Sequence, residues 1–303
     1  MLRQLLQVTS SKVLSSGLAF AFGVAVARLL GPEQYGLLAV SFAVTAVTAE
    51  LTGYGLETAL VRFATPFLQD GQRGRAATTC RLVFRLKLLV NGLLLLTGMA
   101  LAGPISHLVG NPAYTLPIQA GVAGGLGLSL WRFGLSILQA LQLFGTYALV
   151  QSANGLLKVS ALSLVLLFGG INLPLALLIH VASFFGGFLL GMLLCPRDLL
   201  SLIGPNEPDV SRSVFNFSKW IVPASFCSIL NAWLGVLVLG YFTAPWLIGQ
   251  FAAAFTVISS FDILMVSINT VLLPAACAIS DRPAGLGFIR KALSVSGLLS
   301  VAL

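Results

Sequence analysis

Five charged side chains in this sequence sit where their surroundings are apolar: Lys158, Arg132, Glu50, Glu57 and Asp262. Lys158 lies twelve residues into the apolar run 146–169, at mid-bilayer depth if that run crosses a membrane and too deep to snorkel easily to either surface. Gln151 and Asn154 precede it at helical spacing, so the three polar groups share one helix face. A polar stripe on such a helix lines a cavity or meets a partner helix. One chemistry open to Lys158 is binding an anionic substrate headgroup, because charge-assisted hydrogen bonds to phosphate oxygens are strong. The other is structural, an ion pair with Glu50, Glu57 or Asp262, and the sequence leaves both open.

Arg132 stands toward the end of the run 114–138, as a second substrate cation or as a side chain reaching the interface. A carboxylate such as Glu50 inside a bilayer is penalised by about 2.5–3.5 kcal/mol on insertion scales, so it must face protein or water. Glu50 and Glu57, seven residues apart, share a face if their helix stays regular through Gly53 and Gly55. With Asp262 they suit proton or cation coupling, or pairing with nearby Arg and Lys. His180, alone in its run, reads as a packing residue, and Asn231 and Asn269 as interhelical hydrogen-bond partners. The four cysteines, Cys80, Cys195, Cys227 and Cys277, have neither disulfide nor zinc spacing. Phosphate-loop, zinc-protease and nucleophile-elbow motifs are absent, which argues against an enzyme and implies no cofactor or metal.

The elements that position these residues follow from composition. Hydrophobic residues make up 57% of the 303 positions and charged residues 9%, against about 25% charged in soluble domains, which defines an all-α polytopic membrane protein. Stretches long enough to span fall at 12–30, 35–58, 83–104, 114–138, 146–169, 173–195, 217–240 and 246–273. A ninth starts after Lys291 and is too short at Leu303, so the chain reads as cut in mid-helix. The first span serves as the insertion signal. With the N-terminus inside, 14 of the 17 Lys and Arg, Lys12, Arg73, Arg75 and Lys87 among them, fall in cytoplasmic segments, which fixes that orientation. The excess of +8 therefore points to topology, and no nucleic-acid partner is implied.

The segment 196–216, rich in Pro, Asp and Ser, divides a six-helix lobe, 1–195, from the start of a second lobe, 217–303. Pro32 to Gly36 matches Pro245 to Gly249, each before the second helix of its lobe, which suggests parallel repeats about an axis along the membrane normal. The GxxxG pairs Gly121/Gly125 and Gly187/Gly191 read as close helix packing.

The stretch ARLLGPEQYGLLAV followed by GYGLETALVRF resembles the opening of the Wzx-type polysaccharide flippases, within the MATE/MOP superfamily. The resemblance implies about twelve helices in two lobes and alternating access in the cytoplasmic (inner) membrane. It implies transport of undecaprenyl-pyrophosphate-linked oligosaccharide to the outer leaflet, with membrane lipids and polysaccharide assembly proteins as partners. Lys158 and then Arg132 are the cations expected to meet the diphosphate, with Gln151 and Asn154 in the same cavity. Other readings are a peptidoglycan-precursor flippase or a multidrug/cation antiporter, and, less favoured, a membrane glycan polymerase or ligase. Cavity charge separates the transporters: an anion path needs a positive balance and a drug-cation path a negative one.

Overall fold

Gly31 decides the course of the first element. The computed structural model describes residues 2–53, 55–109, 111–196, 199, 207–244, 246–251, 254 and 270. Its first helix, α1 (Leu2–Gly53), is broken at Gly31, whose φ of 76° and ψ of 170° are not helical. Pro32 follows, and its missing N–H removes a rung of the helix at the same place. The limbs 2–30 and 32–53 fold back on each other. The Tyr35 hydroxyl comes within 3.6 Å of the position a Cβ would take on Gly23, whereas a straight helix would set these residues about 18 Å apart along its axis. The first two apolar stretches, 12–30 and the one from 35, thus form a hairpin about Gly31-Pro32.

The second run does not continue to residue 58. Its helix ends at Gly53, and Gly55, with a φ of 63°, starts a separate helix, α2 (Leu56–Gln69). A Cβ at Gly55 would lie 2.5 Å from Ile221 Cγ2, so glycine is needed there for space as well as for its backbone angle. Glu50 and Glu57 therefore belong to different helices, and the shared face expected of one regular helix is corrected. After a short turn comes α3 (Arg73–Leu108), whose 36 residues extend roughly 54 Å, well beyond a hydrocarbon core of about 30 Å.

A short 3-10 turn, Pro112–Tyr114, leads into α4 (Thr115–Ala140), with Asn111 Oδ1 accepting from the Ala113 N–H at 3.0 Å. Then follow α5 (Phe144–Leu167), α6 (Leu173–Leu194) and α7 (Pro208–Phe242). Asn172 caps α6 by accepting from the Leu175 N–H at 3.0 Å, beside a proline at the first turn. Among the described residues all regular structure is helical, and α1, α3, α4, α5 and α6 are long and apolar enough to cross a membrane. The chain is an all-α, multi-pass membrane protein.

Two apolar clusters mark the ends of the bundle. One joins Val8 to Leu56, Ala59 and Leu60 of α2, Cys80 of α3, Ile137 of α4 and Val214 of α7; this is the end that carries Arg73 and Arg75. The other joins Leu37, Tyr114, Ile118 and Ile248 beside the Gly31 turn. Between them α4 is the central helix, packed by α1, α2, α3, α5 and α6. Its glycines make that possible. A Cβ at Gly121 would stand 2.6 Å from Val44 Cβ, and one at Gly125 2.4 Å from Thr48 Cβ, so α4 lies backbone-close along the second limb of α1. Gly187 of α6 likewise accommodates the Trp131 indole, at 2.9 Å from its would-be Cβ. At the Gly31 end, a Cβ on Gly249 would meet the Pro32 carbonyl oxygen at 3.0 Å and Gly36 N at 3.4 Å, so the two segments that the sequence repeat aligns touch each other.

Replacing Gly125 by Val forces α4 off α1. It is expected to lower the thermal unfolding midpoint of the detergent-purified protein by an amount corresponding to at least the ~1–3 kcal/mol of an overpacked core. Gly92→Ala on α3, where nothing lies within 4 Å of the new Cβ, should not lower the midpoint in the same measurement and should raise it slightly.

Candidate functional site: an ionic interior

A charge in a low-dielectric interior must be paired, hydrated or neutralised. The described charges of the bundle interior satisfy this in three different ways. The first is a closed knot. Lys87 of α3 has no exposure to solvent, and its ammonium donates to Glu57 Oε1 of α2 at 2.6 Å, Ser129 Oγ of α4 at 2.8 Å and the Ser129 carbonyl at 3.3 Å. All three ammonium protons are used. One turn along α3, the Asn91 amide donates to Ser129 Oγ at 3.5 Å, and its Oδ1 is buried with no partner among the described residues.

The second arrangement is open. Arg132 Nη1 donates to Glu50 Oε1 at 2.5 Å, and both side chains remain about one-third exposed, 37% and 32%. The two carboxylates converge on Gly53: Glu57 Oε2 lies 3.3 Å and Glu50 Oε2 4.0 Å from its would-be Cβ. Arg132 interacts electrostatically with both. Lys12, from the first limb of α1, is close enough to Arg132 for the two cations to act on each other. Lys12 Nζ donates to Thr270 Oγ1 at 2.6 Å, and Gln139 Nε2 of α4 donates to the Thr270 carbonyl at 2.7 Å.

Lys158 is the third case. It lies 14 residues into α5, about 21 Å along the helix, whereas Arg132 is about 12 Å from the corresponding end of α4. Lys158 is 7% exposed, and its ammonium sits over the Phe184 ring, 4.5 Å from the centroid. Glu50 and Glu57 are held by Arg132 and Lys87, so neither is its counter-ion; Asp262 lies outside the described residues, as does Asn269. Asn154, on the same face, donates to Ser183 Oγ at 3.3 Å, and Ser183 donates to the His180 carbonyl at 2.8 Å. Gln151 is half-buried one turn before.

His180 meets Thr45 Oγ1 at 3.3 Å, and Thr45 directs its proton to the Gly121 carbonyl at 3.2 Å. The His180 Nδ1 is buried with no partner among the described residues. His180 is also packed between Phe42 and Phe184, with centroid distances of 4.5 and 5.0 Å.

Sequence reasoning placed Lys12 and Lys87 among the residues that set orientation and did not single out Ser129, Gln139 or Thr270. A signal existed for Lys87: it falls inside the apolar stretch 83–104 with Asn91 at i+4, a polar pair on one helix face. Thr270 carries no comparable mark of burial or charge.

A multi-pass bundle that keeps ion pairs and a buried ammonium with no carboxylate beside it among the described residues has a polar interior suited to carrying something across. The chain matches the family described as Polysaccharide biosynthesis protein over residues 1–279 and belongs to that family, the Wzx-type polysaccharide flippases of the MOP superfamily. Its role is that of a flippase or transporter in polysaccharide synthesis. No curated protein and no solved structure matches it.

Glu57→Ala leaves the fully buried Lys87 without its carboxylate and is expected to cost about 3–5 kcal/mol of stability. The double variant Lys87→Met/Glu57→Leu should recover most of that loss. Equilibrium or thermal unfolding in detergent reads both, and a Glu57→Ala protein as stable as the parent would show that the knot contributes nothing.

Proposed function

We propose that this protein moves an oligosaccharide linked to undecaprenyl pyrophosphate from the inner to the outer leaflet of the cytoplasmic membrane by alternating access between two lobes. One observation carries the choice of an anionic cargo. Among the described residues the interior charges are five cations, Lys12, Arg81, Lys87, Arg132 and Lys158, against two carboxylates, Glu50 and Glu57. A positive balance suits a diphosphate and opposes a cationic drug. The positive-inside distribution turns the end bearing Arg73 and Arg75 toward the cytoplasm, so the open Arg132–Glu50 pair lies in the half from which the lipid-linked sugar is loaded.

In this reading the diphosphate remains at headgroup depth and engages Arg132 in exchange for Glu50. The sugar extends toward the layer of Gln151, Asn154 and Lys158, while the lipid tail stays in the bilayer. Glu50, Glu57 and Asp262 are the groups available for coupling to an ion gradient: displacement of Glu50 from Arg132 frees a carboxylate that takes up a proton or cation. The protein performs no covalent chemistry on its cargo, and it works among membrane lipids and the assembly proteins that receive the glycan.

The test is leaflet accessibility of a labelled undecaprenyl-pyrophosphate oligosaccharide in proteoliposomes. Protein-dependent flipping is expected, reduced about tenfold or more in Arg132→Ala, as loss of a charge-assisted bond worth about 1.5–3 kcal/mol implies. Export of cationic dyes with no movement of the lipid would assign the protein to the antiporter branch instead.

A further inference from the structure

Three helices of the first lobe send side chains to a single residue of the second. Lys12 of α1 donates to the Thr270 hydroxyl at 2.6 Å, Gln139 of α4 donates to the Thr270 carbonyl at 2.7 Å, and Tyr147 of α5 shares a further hydrogen bond with it. Thr270 is helical and 8% exposed.

Four residues on in the sequence stands Pro274, which has no N–H to offer. The Gln139 amide donates to the Thr270 carbonyl. The hydroxyl has a second task. Its oxygen accepts from the Lys12 ammonium and so fixes where that ammonium stands.

That position matters because Lys12 and Arg132 are brought near each other at the open end of the interior. Two like charges side by side repel unless something holds them there, and together they form a set that a doubly charged phosphate group fits better than either cation alone.

We propose that Thr270 is a positioning residue contributed by the second lobe: it holds Lys12 beside Arg132, so the two-cation site for a diphosphate headgroup is complete only while the lobes are docked at this residue. Separation of the lobes withdraws the hydroxyl from Lys12 and the carbonyl from Gln139, dismantles the pair and lowers affinity for the anion at the stage when it must be released. The inference rests on the flippase reading and adds to it the device that links affinity to lobe position.

Two measurements on the purified full chain separate the possibilities. The first needs no ligand: a double-mutant cycle of Lys12→Met and Thr270→Val on the thermal unfolding midpoint. The expected result is a shift in the double variant clearly smaller than the sum of the two single shifts, because both remove the same contact. Additive shifts would overturn the positioning role whatever the protein binds.

The second is titration with inorganic pyrophosphate and with a short-chain polyprenyl diphosphate. Thr270→Val should weaken binding about tenfold, to the level of Lys12→Met, and Thr270→Ser, which keeps the hydroxyl, should restore it. Wild-type affinity in Thr270→Val would overturn the proposal. A coupled cycle in a wild-type protein that binds neither diphosphate would instead overturn the flippase reading, and the anion site with it.

Discussion

Lys87 carries its ammonium at a position with no access to solvent, and much of the bundle is arranged so that each of its three protons finds an oxygen. Glu57 reaches it because the helix breaks at Gly55 and α2 begins there, so α2 is not a straight continuation of α1. Ser129 reaches it twice, through hydroxyl and carbonyl, because α4 lies close to its neighbours along a glycine-rich face. A buried pair of this kind is weak evidence for added stability, since desolvation offsets most of the attraction. Its strength lies in intolerance of alternatives, because any packing that separates the partners leaves a naked charge in a dry interior.

The two ion pairs differ in wetness, and that difference divides structure from function. Lys87 and Glu57 are enclosed on the cation's side and tie α2, α3 and α4 together. Arg132 and Glu50 are each about one-third open, so their bond is exchangeable with water or with an arriving anion. Gly53, at the centre of both carboxylates, has no side chain to keep them apart. The closed pair thus supplies a rigid wall, and the open pair supplies the surface on which a cargo acts.

The framework was legible in the sequence because it rests on local chemistry. Gly31-Pro32 announces a turn whatever surrounds it, Asn111 and Asn172 before prolines announce helix starts, and apolar runs of about 20 residues announce spans. The Gly121/Gly125 pair was readable as close packing for the same reason. Partnership was not legible. Glu50 and Glu57 were seven residues apart on a presumed regular helix, yet a left-handed Gly55 assigns them to two helices and two partners. Lys12 and Lys87 were taken as topology markers, because hydropathy places charges near the ends of spans at the surface by default. Lys158 shares its α5 face with Asn154 as the spacing implies, but Phe184 beneath its ammonium and Ser183 beside Asn154 come from α6, distant in sequence.

The isolation of Lys158 also has an electrical consequence. Carrying a unit charge across a full membrane potential changes its energy by about 2.3 kcal/mol per 100 mV. The Arg132–Glu50 and Lys87–Glu57 pairs are close to neutral as units, so a field does little net work when either moves as a whole. Lys158, when protonated, has no carboxylate beside it among the described residues. Any rearrangement that shifts α5 along the membrane normal therefore moves net charge through the field, which gives voltage a direct handle on this helix.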